Sequence, residues 1–264
     1  MARQNFLDQV NQSAYARADV VSHYESLDML LEPERVLLER LTPSIRDKKI
    51  LDIAFGGGRT TKYLLRISRD YTGVDYTPEL VAAARRKFPG VELLCRDARD
   101  LSSFADATFD FVMFSFNSID YVPHGDRLRA LAEILRVLKP GGRFLFSTHN
   151  RDHADFNRLP WQGRLSLDPV FVKSCLHALF HLPRHLRMRR HEIHADEYAV
   201  INDNAHGFSL LAYYISVPRQ LAQLARVGFA SAEAFDMEGH AVARDTRFPW
   251  IHYLATKGGD GGEG

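Results

Sequence analysis

The 264-residue sequence predicts an α/β fold with a doubly wound, mostly parallel sheet of seven strands, the last of them antiparallel. Between residues 46 and 150, five short apolar runs alternate with amphipathic stretches of helical period. The run Phe109–Phe114 is apolar apart from Asp110, which is typical of a strand buried on both faces. The pattern returns after residue 208 with one more helix and two more strands.

The elements follow one another in a regular order. Residues 1–45 are predicted to be helical, because Pro33 between two glutamates starts a helix, and Pro43 is expected to end it. The five strands are predicted at 49–54, 71–75, 91–95, 109–114 and 143–148. Three helices are predicted between these strands. The first follows the glycine run and extends to residue 65, the second extends from Thr77 to about Lys87, and the third begins at Asp126. A turn is predicted at 140–142. Gly228 ends the late helix that opens at Ser216, and strands at 232–236 and 250–255 complete the sheet.

These elements divide the chain into four parts. The core comprises residues 46–150 and 208–257, and the helical residues 1–45 precede it. Residues 151–207 are rich in arginine and histidine and are predicted to be an insertion after the fifth strand. The glycine-rich tail 258–264 is expected to be disordered.

Composition excludes several classes of protein. A formal charge of +1 excludes a polycation built to coat nucleic acid. Cys95 and Cys175 are too few for a disulfide framework or a cysteine-based zinc site. The sequence has no signal-peptide pattern and no apolar run of membrane-spanning length. A cytoplasmic location without a membrane partner is therefore expected.

The segment 50–60 joins the first strand to a helix through three consecutive glycines, Gly56 to Gly58. Glycines let the backbone approach a ligand closely, and a helix start presents free N–H groups. A dinucleotide fingerprint would need a small residue where Thr61 stands, and a phosphate loop would need a Gly-Lys-Ser/Thr sequence. Asp52, inside the first strand, suits a ligand that carries an ammonium group.

This segment resembles motif I of the class I S-adenosylmethionine-dependent methyltransferases, Asp-x-Gly-x-Gly-x-Gly, with Ala54 at the first glycine. Further signatures of the family follow in chain order over residues 46–150 and about 208–257. They are Gly73-Val74-Asp75, Arg96-Asp97-Ala98, Phe109-Asp110-Phe111-Val112, Leu138-Lys139-Pro140-Gly141-Gly142 and Arg226-Val227-Gly228-Phe229. The resemblance implies the Rossmann-like fold, S-adenosylmethionine as cofactor, and methyl transfer.

The resemblance also implies which residues hold the methionyl end of the cofactor. Ala54, Gly56 and Gly58 are expected to let the loop pack against it. Asp52 is expected to orient the loop and attract the α-ammonium group. Phe116, just beyond the fourth strand, is expected to line the methyl donor.

At the adenosine end, Asp75 is expected to accept hydrogen bonds from both ribose hydroxyls, and Tyr76 to pack against adenine. Asp97 is expected to accept from the adenine amino group while the Ala98 N–H donates to a ring nitrogen. Small-molecule members of the family carry a leading helix over the cofactor. Residues 1–45 are therefore expected to form a lid, with Tyr24 as a contact.

Substrates of this fold lie beyond the carboxyl ends of the strands. Asn117 and Tyr121 after the fourth strand, and His149 after the fifth, are the catalytic candidates. His149 is expected to be the general base, because imidazole titrates near neutral pH. Methylases of nucleic-acid amino groups carry Asn/Asp-Pro-Pro-Tyr where this chain has Ser115 to Ser118, which argues against base N-methylation.

The segment 177–194 concentrates histidines and arginines, with His177, His181 and His185 at helical spacing. No metal site is expected, because Pro183 should interrupt the helix and arginines crowd the stretch. It is either a solvated basic face or a cap that offers cations to an anionic or polar substrate.

The sequence thus predicts methyl transfer from S-adenosylmethionine to an oxygen or nitrogen of a small molecule, by in-line displacement. The alternatives are an RNA or protein methyltransferase, a cofactor-binding protein without transferase activity, and a nicotinamide-dependent oxidoreductase. Substrate identity and oligomeric state stay open.

Overall fold

The computed structural model describes residues 2–162, 165–204 and 206–259. Within these ranges the chain forms α-helices and strands in a largely alternating order. The helices are α1 Ala2–Tyr15, α2 Ala18–Ser26, α3 Glu32–Ile45, α4 Thr61–Ile67, α5 Pro78–Lys87, α6 His124–Val137, α7 Pro169–Met188 and α8 Val217–Val227. The strands are β1 Ile50–Ile53, β2 Tyr71–Asp75, β3 Glu92–Cys95, β4 Phe109–Phe114, β5 Leu138–Asn150, β6 Ile193–His194, β7 Tyr198–Ile201, β8 Ala212–Ile215, β9 Phe229–Phe235 and β10 Trp250–Lys257.

Seven strands form the sheet that the sequence predicts. Strands β3, β2, β1, β4 and β5 lie side by side in that order and are all parallel. Strand β10 is antiparallel to β5, and β9 pairs with its far edge. The strand order reverses between β1 and β4, and ligands of open α/β sheets bind in the crevice at such a reversal. The fold prediction is confirmed.

Helices cover both faces of the sheet, as doubly wound folds require. Leu37 of α3, Leu64 of α4 and Val81 of α5 belong to one buried apolar cluster. Leu131 of α6 and Leu224 of α8 belong to the cluster on the other face. Helix α3 therefore packs on the sheet, whereas α1 and α2 reach the carboxyl edge described below. In the described part of the chain, no helix is both long and apolar enough to cross a bilayer.

Three strands that the sequence analysis did not predict extend the sheet. Pairing of β4 with β5 ends at Phe146, which leaves one edge of β5 free beyond that point. Strand β8 takes this edge in parallel, β7 pairs antiparallel with β8, and β6 with β7. The insertion thus contributes α7, β6 and β7. As a result, His149 lies between Tyr214 of β8 and Trp250 of β10 in the register of the sheet.

Several element boundaries differ from the sequence prediction. Pro43 lies in the last turn of α3 and Pro183 inside α7, so neither proline ends its helix. Helix α6 begins at His124, which places Asp126 in its first turn rather than at its cap. The predicted turn at 140–142 bulges from a continuous β5, because pairing passes from Leu138 to Arg143 while the partner advances from Phe109 to Phe111. Of the predicted disordered tail, residues 260–264 lie outside the described residues.

Arg127 of α6 is fully buried and joins several elements through its guanidinium group. The group donates to Asp120 Oδ1 at 2.6 Å and to Gln220 Oε1 of α8 at 2.7 Å. It also donates to the Ile119 carbonyl at 3.1 Å and lies 4.5 Å from the centroid of the Tyr213 ring. A buried cation without partners is costly, so this set of contacts holds the turn after β4 against α6 and α8.

Arg127→Ala is expected to lower the free energy of unfolding by about 3–5 kcal/mol, because it leaves Asp120 buried without its cation. Urea denaturation followed by circular dichroism measures the change. The matched control is Arg129→Ala, two residues along the same helix, whose side chain is 60% exposed. It should cost under about 1 kcal/mol. Equal losses in the two variants would contradict this account of the network.

Candidate active site

A cleft opens at the carboxyl ends of β1, β2 and β4, where the strand order reverses. It encloses about 900 Å³, part of it open to solvent. Eight of the ten predicted cofactor residues line it, together with Tyr121. They are Tyr24, Ala54, Gly56, Asp75, Tyr76, Asp97, Ala98 and Phe116. Asp52, Gly58, Asn117 and His149 lie behind this lining.

The loop after β1 turns sharply into α4, and its backbone shows why glycines stand there. Gly56 and Gly58 have φ of +58° and +87°, a region that favours glycine. Ala54 adopts the same region at +54°, although it carries a Cβ. A Cβ on Gly57 would lie 2.5 Å from the Tyr24 carbonyl oxygen and 2.6 Å from Glu25 Cα. The loop is therefore shaped both by its own turn and by the close approach of α2.

Asp75 ends β2 with a carboxylate that is buried against the glycine loop. Its Oδ2 accepts from the Gly56 N–H at 3.0 Å, and its Oδ1 from the Thr77 N–H at 2.8 Å. Burial raises the pKa of this carboxyl to about 6, against the hydrogen bonds that lower it. Each oxygen keeps capacity for a further donor, and the residue lines the cleft.

Asp52 lies beneath the glycine loop, which agrees with the expectation that it orients the loop. It is buried beneath the loop, where its Oδ2 accepts from Thr60 Oγ1 at 2.6 Å and from the Tyr71 hydroxyl at 2.9 Å. Its Oδ1 is buried without a hydrogen-bond partner. Burial raises the pKa of this carboxyl to about 7. Asp52 therefore orients the loop through Thr60 and makes no direct contact with the cleft.

The adenosine side of the predicted site follows β3. Asp97 and Ala98 both line the cleft, with Tyr76 nearby. The Asp97 carboxylate also pairs with the Arg99 guanidinium, Nε to Oδ1 at 2.9 Å, and accepts from the Arg99 N–H at 2.8 Å. A ligand amino group at Asp97 would share the carboxylate with Arg99.

Aromatic side chains from the N-terminal helices close the cleft. Tyr15 of α1 and Tyr24 of α2 have ring centroids 5.8 Å apart. Tyr15 packs edge-on against Tyr121 at 5.4 Å, and Tyr24 against Phe116 at 6.2 Å. Burial raises the pKa of Tyr15, Tyr24 and Tyr121, so the wall that these hydroxyls form stays neutral.

A buried ion pair that the sequence analysis did not predict links α3 to the glycine loop. Arg59, the residue after Gly58, donates to both carboxylate oxygens of Glu34 at 2.6 and 2.7 Å. It also donates to Ser115 Oγ at 2.8 Å and lies 4.9 Å from the Phe116 ring centroid. A charged residue next to the glycines was visible in the sequence, but its partner 25 residues earlier was not.

The chain after β4 has an unusual backbone. Phe116 and Asn117 adopt φ of +58° and +56°, a rare conformation for residues with side chains. The Asn117 N–H donates to Ser147 Oγ at 2.9 Å, while its side-chain amide is buried without a partner. Asn117 thus turns Phe116 into the cleft wall, and its own amide does not reach the cleft.

His149 forms a dyad with Asp120. Its Nδ1 lies 2.8 Å from Asp120 Oδ2, which also accepts the His149 backbone N–H at 2.7 Å. Asp120 Oδ1 is held by Thr148 Oγ1 and Arg127, both at 2.6 Å. The ring of His149 contacts Tyr121 edge-on with centroids 6.1 Å apart, so one aromatic ring separates it from the cleft. The carboxylate fixes the orientation of the imidazole and leaves Nε2 on the side away from Asp120.

A second cavity, of about 780 Å³ and also partly open, lies between the insertion and β8. Its lining includes His185, Arg189, Asn202, Asp203 and Tyr214. Tyr214 donates to Asp203 Oδ2 at 3.0 Å, and its ring centroid lies 4.7 Å from that of His149. Tyr213, the residue before Tyr214, is oriented differently, and its hydroxyl lies 2.9 Å from His124 Nδ1.

Metal ligation has one geometric candidate among the described residues. Asp236, Glu238 and His240 could bring one ligand atom each to a common point. Asp236 is engaged by Arg247 at 2.9 Å, and His240 is mostly exposed. The histidines of the insertion form no such group in the described part of the chain. His185 instead meets Asn202 Oδ1 at 2.9 Å.

Comparison with known proteins points to one family. Residues 50–142 match a family model described as a methyltransferase domain. A demethylmenaquinone methyltransferase from Beutenbergia cavernae is 32% identical over 129 residues, which cover 49% of either chain. The chain spans about half the length of the curated relatives it matches.

Two solved structures share the fold over most of the chain. One is a methyltransferase from Thermotoga maritima, described as a possible histamine N-methyltransferase, with a TM-score of 0.57 and 17% identity, covering 94% of this chain and 99% of that one. The other is the 1,6-didemethyltoxoflavin-N1-methyltransferase of Burkholderia thailandensis with bound S-adenosylhomocysteine, with a TM-score of 0.55 and 17% identity, covering 97% and 87%. Residues 50–142 thus match a methyltransferase domain, and the solved structures share the predicted fold, so both comparisons agree with the prediction of a class I S-adenosylmethionine-dependent methyltransferase.

Asp75→Asn is expected to weaken binding of S-adenosylhomocysteine by about 1–3 kcal/mol, because the amide offers one acceptor oxygen where the carboxylate offers two. Isothermal titration calorimetry measures the affinity. The control is Asp70→Asn, an exposed residue immediately before β2, which should bind like the parent protein. Unchanged affinity in Asp75→Asn would remove this residue from the cofactor site.

Asp52 should make stability depend on pH. Its folded pKa of about 7 exceeds the usual carboxyl value, so the folded state binds the proton more tightly and stability falls as pH rises toward 7. Between pH 5 and pH 8, the free energy of unfolding is expected to fall by roughly 2–3 kcal/mol less in Asp52→Asn than in the parent protein. Urea denaturation at both pH values measures it, with Asp70→Asn as control. An equally steep decline in Asp52→Asn would show that this carboxyl is ionised in the folded protein throughout.

Proposed function

We propose that this protein transfers a methyl group from S-adenosylmethionine to an oxygen or nitrogen of a small molecule, with His149 as the general base. The observation that carries the proposal is the dyad of His149 and Asp120, which lies one aromatic ring away from the cofactor cleft. The family match supports the transfer chemistry, and the dyad supports an acceptor that must lose a proton.

The cleft fits the cofactor in shape and in chemistry. The glycine loop brings its backbone to the floor of the cleft without side chains in the way, and Asp75 offers a buried carboxylate that neutral hydroxyls can reach. Ala98 and Tyr76 line the adjoining part of the wall. When bound, S-adenosylmethionine supplies a methyl group that is already activated by its sulfonium centre.

The protein's own contribution is then position, exclusion of water and one proton transfer. Tyr15, Tyr24 and Phe116 cover the cleft with neutral aromatic surface, which keeps water from the reacting groups. Alignment of the acceptor behind the methyl group accounts for much of the rate, because it replaces a bimolecular encounter with a fixed geometry. Asp120 holds Nδ1 of His149, so Nε2 is the nitrogen left to take a proton, from an acceptor that reaches past the Tyr121 ring.

The walls suggest the kind of acceptor. Tyr121, Tyr214 and Trp250 surround the His149 ring, with centroids 6.1, 4.7 and 6.0 Å away. Planar rings prefer such edge and face contacts, so a planar acceptor with a hydroxyl or amino group suits this position. The second cavity beyond Tyr214 carries Arg189, whose guanidinium group suits a polar or anionic end of the same molecule.

The test is a methylation assay with radiolabelled S-adenosylmethionine on a panel of hydroxylated and aminated aromatic acceptors. With the best acceptor, His149→Gln should lower kcat by about a hundredfold, since general bases contribute 10²–10⁴-fold. Its affinity for S-adenosylhomocysteine should stay unchanged. The control is His240→Gln, a histidine whose side chain is 74% exposed.

The outcomes separate the alternatives. Cofactor binding with no transfer to any acceptor would favour a binding protein without transferase activity. Transfer only to RNA or protein would favour the macromolecular alternative. Undiminished kcat in His149→Gln would show that the acceptor needs no base from this residue.

A further inference from the structure

Helix α7 of the insertion exposes a stripe of large apolar side chains. Phe180 is 81% exposed, Leu176 62% and Leu186 60%. Together with Val172 and Leu179 they lie on one side of the helix, within an arc of about 120° at 100° per residue. Leu165 and Leu167, which precede the helix, are exposed as well. Contiguous exposed apolar surface of this kind marks a contact site.

The opposite side of α7 is fixed to the protein, so the stripe is held outward. Ala178, His185 and Met188 are buried. His185 Nδ1 lies 2.9 Å from Asn202 Oδ1, and Arg184 donates to the Gly207 carbonyl at 3.0 Å. The helix therefore has two apolar faces, one packed on the fold and one facing solvent.

Cationic side chains border the exposed stripe. Lys173 and Arg187 project beside Phe180 and Leu176 on the helical wheel. No acidic residue occurs between Asp168 and Glu192. In the described part of the chain, neither Lys173 nor Arg187 forms an ion pair with an acidic side chain. The surface thus combines apolar and positively charged groups without compensating negative charge.

We propose that the exposed face of α7 docks on an anionic lipid surface, lying in the plane of the interface. A helix that pairs an apolar stripe with lysine and arginine on its border binds in this manner, with the apolar groups among acyl chains and the cations at phosphate level. This contact differs from a membrane span, for which α7 is not apolar enough. The inference is independent of the proposed methyl transfer.

Two other partners fit the exposed face of α7 less well, namely a second copy of the chain and a nucleic acid. A second copy docked through the same face would place the cationic border of one α7 near that of its partner, and like charges in contact are unfavourable. A nucleic acid would satisfy the cations but leave Phe180, Leu176 and Leu186 in water.

The experiment is co-sedimentation of the full chain with large unilamellar vesicles. One set is pure phosphatidylcholine, and the other contains about 30% phosphatidylglycerol to supply negative charge. The protein should sediment with the anionic vesicles, bind the neutral ones several-fold more weakly, and dissociate in about 0.5 M salt.

Two double variants separate the contributions. Leu176→Ser with Phe180→Ser should weaken partition at least tenfold, because two large apolar groups no longer insert. Lys173→Gln with Arg187→Gln should weaken binding to anionic vesicles by about tenfold while changing binding to neutral vesicles little. The matched control is Arg46→Gln with Arg69→Gln, two exposed cations at the amino-terminal edge of the sheet, which should bind like the parent.

All variants change exposed side chains, and unchanged circular dichroism and affinity for S-adenosylhomocysteine would show that they are folded. Absence of vesicle binding by the parent protein would overturn the proposal. So would a dimer in sedimentation velocity that Leu176→Ser with Phe180→Ser converts to a monomer. Equal loss of binding in the Arg46 and Arg69 control would also overturn it. Vesicle binding would then depend on the overall positive charge of the protein and not on the cations of α7.

Discussion

Asp120 is a fully buried carboxylate, and each of its oxygens serves a different part of the fold. Oδ1 meets Arg127 of α6 and Thr148 of β5, while Oδ2 meets the backbone and the ring of His149. A buried charge of this kind is stable only when every partner is in place. The turn after β4, the end of β5 and the packing of α6 on α8 therefore depend on one another. The same contacts that stabilise the core decide which nitrogen of His149 is available.

A second buried pair performs a comparable task on the other side of the cleft. Glu34 and Arg59 join α3 to the first residue after the glycines, and Arg59 also lies over Phe116. These contacts hold the loop, the N-terminal helices and the wall after β4 in one arrangement. Preorganisation of this sort reduces the entropy that binding must overcome. It also explains why Gly57 cannot carry a side chain, since α2 approaches the loop at backbone distance.

The insertion shapes the molecule more than its composition suggests. Strand β8 takes the edge of β5 that β4 leaves free, which brings Tyr214 beside His149, and strands β7 and β6 of the insertion extend the sheet beyond β8. The insertion's helix adds a wall of the second cavity with one face and an unpaired apolar and basic surface with the other. The near-zero net charge of the chain thus conceals a local concentration of positive charge on α7.

The sequence by itself determined where the seven core strands lie along the chain, the glycine loop, and the acids Asp75 and Asp97 near strand ends. These features depend on periodicity and on motifs of a few residues, which a single chain displays locally. Only the tertiary structure decided that Asp120 orients His149, that Glu34 neutralises Arg59, and that Asp52 lies beneath the loop rather than in the cleft. The partners in the first two pairs are 29 and 25 residues apart, and no local pattern records them. Which face of α7 is buried likewise depends on β7 and β8, because an amphipathic helix with two apolar faces does not specify its own orientation.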